Sequence, residues 1–197
     1  MSQPPLLYVV RHGETEWNRD RRIQGQQDSP LNDTGLEQAQ DVAERLLSEL
    51  GQAGGALPLW SSDLLRALQT AIAIGQVLDC RAARKSRRLR ERMFGAVEGH
   101  TWAELTEEYP DEVKAYKSGE DRDAIPGIEP YARFRERVLR SFRVISRRGE
   151  SALVVTHGGV MRVLLEEALG EDKRFMISNT ALYRFRIHED RVERVLK

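Results

Sequence analysis

Apolar positions open the chain as an unbroken run, Leu6-Leu7-Tyr8-Val9-Val10, and polarity switches on abruptly at Arg11. A run apolar on both faces is the pattern of a buried parallel strand. The stretch from about Gly13 to Asp33 is rich in Gly, Asn, Asp and Pro and predicts a loop. Thr34 and Glu37 then have the spacing of a capping box, and Leu36, Ala39, Ala43, Leu46, Leu47 and Leu50 keep helical period up to Gly51. Leu57 to Trp60 predicts a second strand, with Ser61 or Ser62 as cap for a helix carrying Leu64, Leu65, Leu68, Ala71, Ile72 and Leu78.

Between residues 80 and 92 the alternation is poor and basic groups crowd in (Arg81, Arg84, Lys85, Arg87, Arg88, Arg90 and Arg92), which suits a charged edge strand. Thr101 and Glu104 form a second capping box, and Pro110 should end or kink the helix they start. Asp111 to Pro130 is acidic and predicts helix plus surface loop. Tyr131, Phe134, Val138, Phe142 and Ile145 keep helical spacing up to Gly149, with core as the default place for Tyr131 and Phe134. Ala152-Leu153-Val154-Val155 repeats the buried-strand pattern. It runs into Thr156-His157-Gly158-Gly159 and an apolar helix closed by Gly170. Leu182 to Ile187 and Val192 to Leu196 alternate as a terminal hairpin would.

Strands alternating with helices predict an α/β fold, a three-layer αβα sandwich around a mostly parallel sheet. No repeat or linker divides the chain, so residues 1–197 are expected to form a single domain, with a small cap or insert at about 92–130. In such sheets ligands lie beyond the carboxyl ends of the strands. Three polar motifs fall there: Arg11-His12-Gly13, Ser61-Ser62-Asp63 with Arg66 beyond, and His157-Gly158-Gly159.

Composition narrows the class of function. With 31 Lys+Arg against 31 Asp+Glu, the chain lacks the excess positive charge of a general nucleic-acid binder, so no nucleic-acid partner is expected. Met1 to Val10 has neither the basic start of a signal peptide nor the length of a membrane span, and a cytoplasmic protein with no membrane partner is the default. The lone Cys80 excludes an internal disulfide and a multi-cysteine zinc site. It also fails the spacing of a thiol phosphatase, since the sixth position after it is Ser86.

The strand-end residues suggest phosphate chemistry. Guanidinium groups such as Arg11 and Arg66 make bidentate bonds to phosphate oxygens, and amides at the helix start after His157 favour an anion. A histidine between them can act as a nucleophile. A carboxylic acid must then protonate the departing alkoxide.

Arg11-His12-Gly13-Glu14-Thr15-Glu16-Trp17-Asn18 resembles the signature of the histidine phosphatase superfamily, the phosphoglycerate mutase-like proteins. Gln24-Gly25 through Asp28-Ser29-Pro30-Leu31 and Thr34-Gly35 is similar to the loop that follows it. Ser61 to Ala71, Leu89-Arg90-Glu91 with Gly95 and Glu98-Gly99, and Thr156-His157-Gly158-Gly159 resemble the next three motifs, in family order and over most of the chain.

The resemblance implies that His12 takes the phosphoryl group while Arg11, Arg66 and His157 hold it. It makes Glu91 the proton donor and then the base, with Asn18, Gln24, Gly25 and Gly158 contacting phosphate or substrate. It implies no metal and no cofactor, and a small-molecule phosphate ester as substrate; a homodimer is compatible with it. Hydrolysis is favoured over the mutase alternative. Only Lys114, Lys117 and Arg122 are basic in the acidic 101–130 stretch, where a mutase needs a second anion site. An inactive binding member is disfavoured because all five reacting and holding residues are present. Ala96-Val97 departs from the family pattern of an aromatic before the Glu-Gly pair. His100 and His188 are expected at the surface, and Trp17 and Trp102 at the pocket rim.

Overall fold

Residues 3–170 and 176–196 are described by the structure, a computed structural model. Its sheet has the order β3-β2-β4-β1-β5-β6. Strands β1 (Leu6–Arg11), β2 (Leu59–Ser62), β3 (Arg84–Ser86) and β4 (Ala152–Thr156) are parallel, while β5 (Leu182–Ile187) and β6 (Val192–Val195) extend one edge antiparallel. The mixed α/β architecture is the one the sequence pattern predicts.

Side-chain parity divides the core into two layers. Leu7, Val9, Ala152 and Val154 point to one face and pack on α6 (Tyr131–Ser146) and α7 (Gly158–Leu169), through residues such as Phe134, Val138, Phe142, Met161 and Leu164. Val10, Leu59, Leu153 and Val155 point to the other face and pack on α2 (Asp33–Leu50) and α3 (Leu65–Leu78), through Val42, Leu46, Ala71 and Ile74. Alternation along a strand necessarily sends neighbours to opposite faces. All five residues of β4 are buried; its first four are apolar without a break, and the Thr156 hydroxyl donates to the Leu89 carbonyl.

A third cluster stands apart from both layers. Ile23, Val97, Leu105, Val113, Ile125 and Ile128 are buried together, flanked by Phe94, Trp102, Tyr109 and Tyr116. They come mainly from the segment between β3 and α6, which contains α4 (Trp102–Glu108) and α5 (Pro110–Ser118). Thr101 caps α4 with the predicted capping box, and Pro110 is the first residue of α5, where its missing N–H costs nothing.

Three local expectations are corrected. The loop after β1 contains a short helix, α1 (Glu16–Arg19), capped by Thr15 and without a buried face, so no periodicity announced it. Helix α2 starts earlier than the Thr34–Glu37 box: Asn32 is its cap, its side chain accepting from the Gly35 amide at 2.8 Å. Ser61 and Ser62 belong to β2, two residues later than the expected strand, and the first amide of α3 donates to Asp28 Oδ1 at 2.5 Å instead.

Asn32→Ala should lower the unfolding free energy by about 1 kcal/mol, the usual loss for a side-chain cap. Thr34→Ala, at an exposed position, should change it by less than about 0.5 kcal/mol. Urea denaturation of the two variants compares the two caps.

Candidate active site

Strand register brings the two histidines together. β1 and β4 are parallel neighbours with Arg11 opposite Thr156, so the next residue of each chain segment, His12 and His157, leaves the sheet at the same level. Their rings lie edge to face with centroids 5.2 Å apart. The chain continues from His12 toward α2 on one face of the sheet and from His157 into α7 on the other. Such a divergence opens a crevice at the carboxyl edge. No side chain fits at Gly13, because a Cβ there would lie 2.3 Å from the Gly35 carbonyl oxygen.

The two arginines enter from either side of β4, Arg11 at the end of β1 and Arg66 on the helix that follows β2. Arg11 ends β1 and donates to the Ile177 carbonyl. Arg66 sits in the first turn of α3, only 1 % exposed, and its two terminal nitrogens donate to the Gly25 and Gln27 carbonyls at 2.8 Å. Burial, opposed only in part by Glu91 and Asp28, pushes the Arg66 guanidinium down to about 10, so it stays charged near neutrality.

His12 Nδ1 lies 2.7 Å from the Gly13 carbonyl. A carbonyl only accepts, so Nδ1 carries the proton and Nε2 keeps its lone pair. Burial, followed by Arg66 and Arg11, holds His12 well below an ordinary histidine. His157 is held low in the same way, by burial first and then by Arg66, His12 and Arg11. Both rings are therefore neutral at physiological pH. Among the described residues, the Nε atoms of Arg11 and Arg66 and both ring nitrogens of His157 are buried without a hydrogen-bond partner. Unpaired buried polar groups typically cost about 1–3 kcal/mol each. A cluster of them around a neutral imidazole suits a tetrahedral oxyanion.

Glu91 approaches from the segment after β3. Its carboxylate accepts from the Gly159 amide and from its own neighbour's amide, Arg92 N–H, both at 2.8 Å. His157 provides no side-chain cap for α7, so Glu91 serves its exposed N–H end. A Cβ at Gly159 would fall 2.1 Å from Glu91 Oε1, so the glycine leaves the carboxylate its place.

The remaining expected site residues are placed one step back. Asn18 Oδ1 accepts from Thr15 Oγ1 at 3.2 Å and from Asn179 Nδ2 at 3.3 Å; Asn179 also donates to the His12 carbonyl at 3.1 Å. Gly25, at φ +51°, offers its carbonyl to Arg66. Gln24 is buried with its Oε1 unpartnered among the described residues. Gly158 lies beside Arg11, whose Nε would be 3.6 Å from a Cβ there.

Arg11, Glu91, Gly158 and Gly159 form one end of a cavity of about 460 Å³. Phe94, Trp102 and Tyr116 wall it on the side of the third core, and Tyr131, Arg122 and Glu166 line another side. Tyr131 donates to Glu166, and Arg122 pairs with the same carboxylate at 2.9 Å while lying over the Tyr131 ring. Burial, then Glu166, pushes the Tyr131 phenol well up, so it remains a donor. Trp102 does lie on the rim, whereas His100 is exposed.

The family model of the histidine phosphatase superfamily (branch 1) matches residues 7–196. The chain belongs to that superfamily. Within it, the chain is 38 % identical over 166 residues to a metal-independent phosphoserine phosphatase from Arabidopsis thaliana, covering 83 % of this chain and 68 % of that protein. It is 38 % identical over 187 residues to phosphoglycerate mutase-like protein 4 of the same plant, covering 93 % and 80 %. A phosphoserine phosphatase variant from Entamoeba histolytica, solved with phosphoserine, superposes with a TM-score of 0.81 at 25 % identity, covering 98 % of this chain and 95 % of that one.

Several residues around this histidine phosphatase crevice escaped the sequence reading. Tyr131 keeps core spacing yet lies at the start of α6, where its hydroxyl reaches Glu166 across helices. Thr70 accepts from the Gly13 amide at 3.0 Å, and Asn179 braces His12 from the far end of the chain. Only partners distant in sequence give these groups meaning. Among the described residues no three His, Cys, Asp or Glu side chains gather as metal ligands would, and no helix is long and apolar enough to cross a membrane.

The buried histidines make stability depend on pH. Their folded values lie below 6.5, so the unfolded chain binds more protons than the folded one beneath that pH. Their contribution is complete above about 6.5 and is lost as pH falls, with a slope of up to about 1.4 kcal/mol per pH unit for each ring. Urea midpoints measured from pH ~7.5 down to ~5 should decline, and His157→Asn should flatten the decline.

Proposed function

We propose that the chain is a metal-independent phosphomonoesterase that hydrolyses a small phosphorylated metabolite through a phosphohistidine at His12. The observation that carries this is the neutral, tautomer-fixed His12 surrounded by Arg11, Arg66 and His157, each with a buried nitrogen lacking a partner among the described residues, with the Glu91 carboxyl at the adjoining helix end. His12 Nε2 attacks phosphorus. Glu91 enters this step as the carboxylic acid: as the bond to the ester oxygen breaks, that oxygen takes the Glu91 proton and leaves as an alcohol. Arg11, Arg66 and His157 share the charge of the phosphoryl oxygens, an arrangement already assembled before substrate arrives. Water then attacks the phosphohistidine, giving its proton to the Glu91 carboxylate and restoring neutral His12.

Phosphoserine is the first substrate to test, because two similar proteins carry that activity in their names. Two basic residues of the cavity wall support hydrolysis over mutase chemistry. Arg92 is engaged by the Glu129 and Arg122 carbonyls and by Asp123, and Arg122 by Glu166, so these cations already have acceptors. The segment 92–130 acts as a cap that shapes the leaving-group side, within one catalytic domain. A cytoplasmic setting fits the single free Cys80.

His12→Ala should abolish turnover with an unchanged circular dichroism spectrum. An acid quench of the parent enzyme should trap labile phosphate on His12, and EDTA should leave its rate unchanged. Full activity in His12→Ala, or strict need for a divalent ion, would overturn the mechanism.

Gly159→Ala should change stability by no more than about 1 kcal/mol, because the helical preference of alanine is offset by loss of the Glu91 cap. It should nonetheless cut the rate on an alkyl phosphate by about 10²-fold or more, because the new methyl displaces Glu91. Paired thermal melts and steady-state rates separate the two effects.

A further inference from the structure

Glu91 lies on a segment with no regular backbone pairing: residues 91–94 are neither helix nor strand. A proton donor nonetheless has to be held within about 0.5 Å of its working position. Four successive carbonyls before and at Glu91 each accept from a side chain. Leu89 O accepts from Thr156 Oγ1 at 2.8 Å, next to His157. Arg88 O, Arg90 O and Glu91 O all accept from one guanidinium, that of Arg137 on α6, at 3.1, 2.7 and 2.8 Å. Gln26 adds a second bond to Glu91 O at 3.1 Å.

Arg137 is itself fixed. Its Nε and second Nη donate to the two oxygens of Glu129 at 2.7 and 2.8 Å, so all five of its N–H groups are engaged. The pair is mostly shielded from water, with side chains 20 % and 15 % exposed. Glu129 in turn accepts from the Met93 amide at 3.3 Å, and its own N–H donates to Met93 O at 2.8 Å. The clamp therefore grips the chain on both sides of Glu91.

We propose that Arg137, oriented by Glu129, is a positioning residue that sets the Glu91 carboxyl for proton transfer. The inference rests on the reading of Glu91 as acid and base. Lysine cannot replace Arg137, because a single ammonium cannot reach three carbonyls and a carboxylate in this planar geometry.

The test measures phosphoenzyme formation by rapid quench in single turnovers. It compares an alkyl phosphate (phosphoserine or 3-phosphoglycerate, whichever turns over) with p-nitrophenyl phosphate, whose leaving group needs little protonation. Glu91→Gln should slow the alkyl ester by about 10²–10⁴-fold and the aryl ester distinctly less. Arg137→Lys should show the same leaving-group dependence at a smaller size, about 10- to 10²-fold, as expected for a misplaced group. Combined with Glu91→Gln it should add nothing further. Glu129→Gln, which keeps the side-chain volume, should act in the same direction and carries the comparison if Arg137→Lys does not fold. Equal slowing of both esters, no slowing, or a full independent loss on top of Glu91→Gln would overturn the positioning role while leaving Glu91 in place. A Glu91→Gln enzyme indifferent to the leaving group would instead overturn the reading of Glu91, and the inference with it.

Discussion

The site depends on the parallel pairing of β1 with β4. Arg11 opposite Thr156 is one rung of that ladder, and the rung fixes both histidines, because each is the first residue beyond it. A slip of one residue would turn every β4 side chain to the other face of the sheet. Val154 would then meet α2 and α3 instead of α6 and α7, so packing on both faces enforces the register that chemistry needs. The hydrophobic core and the two histidines are thus held by one constraint.

That constraint concentrates positive charge where water is scarce. Arg66 keeps its charge inside the molecule only by donating to two loop carbonyls. The histidines yield instead and stay neutral. The result is a site with buried donors unpaired among the described residues, which a phosphoryl group bound as proposed would relieve, directing binding energy at the charge that moves in the reaction. Glu91 moderates the field by facing both arginines while it occupies the N-terminal end of α7.

Much of this was legible in the sequence because the signals are local. An unbroken apolar run such as Ala152 to Val155 announces itself as a strand, and a His-Gly at the end of such a run marks His12 and His157 as candidates. Thr101 with Glu104 gave a true cap, but Thr34 with Glu37 imitated one, because spacing alone does not distinguish Asn32 two residues earlier as the real start. Helix α1 was invisible for want of an apolar face. What could not be read at all were bonds across long separations. Arg137 is one of many charged residues on α6, and only the fold shows that it holds the chain at 88–91. Tyr131 likewise keeps core period while serving the cavity wall.

The third hydrophobic cluster has a consequence of its own. Phe94, Trp102 and Tyr116 face the cavity with one side and rest on Ile23, Val97, Leu105 and Val113 with the other, apart from the two layers that grip the sheet. Substitutions in this wall therefore alter a small satellite core and leave the strand register untouched. Under the proposed function, the leaving-group side of the cavity is thus free to vary independently of the strand ends that hold His12 and His157.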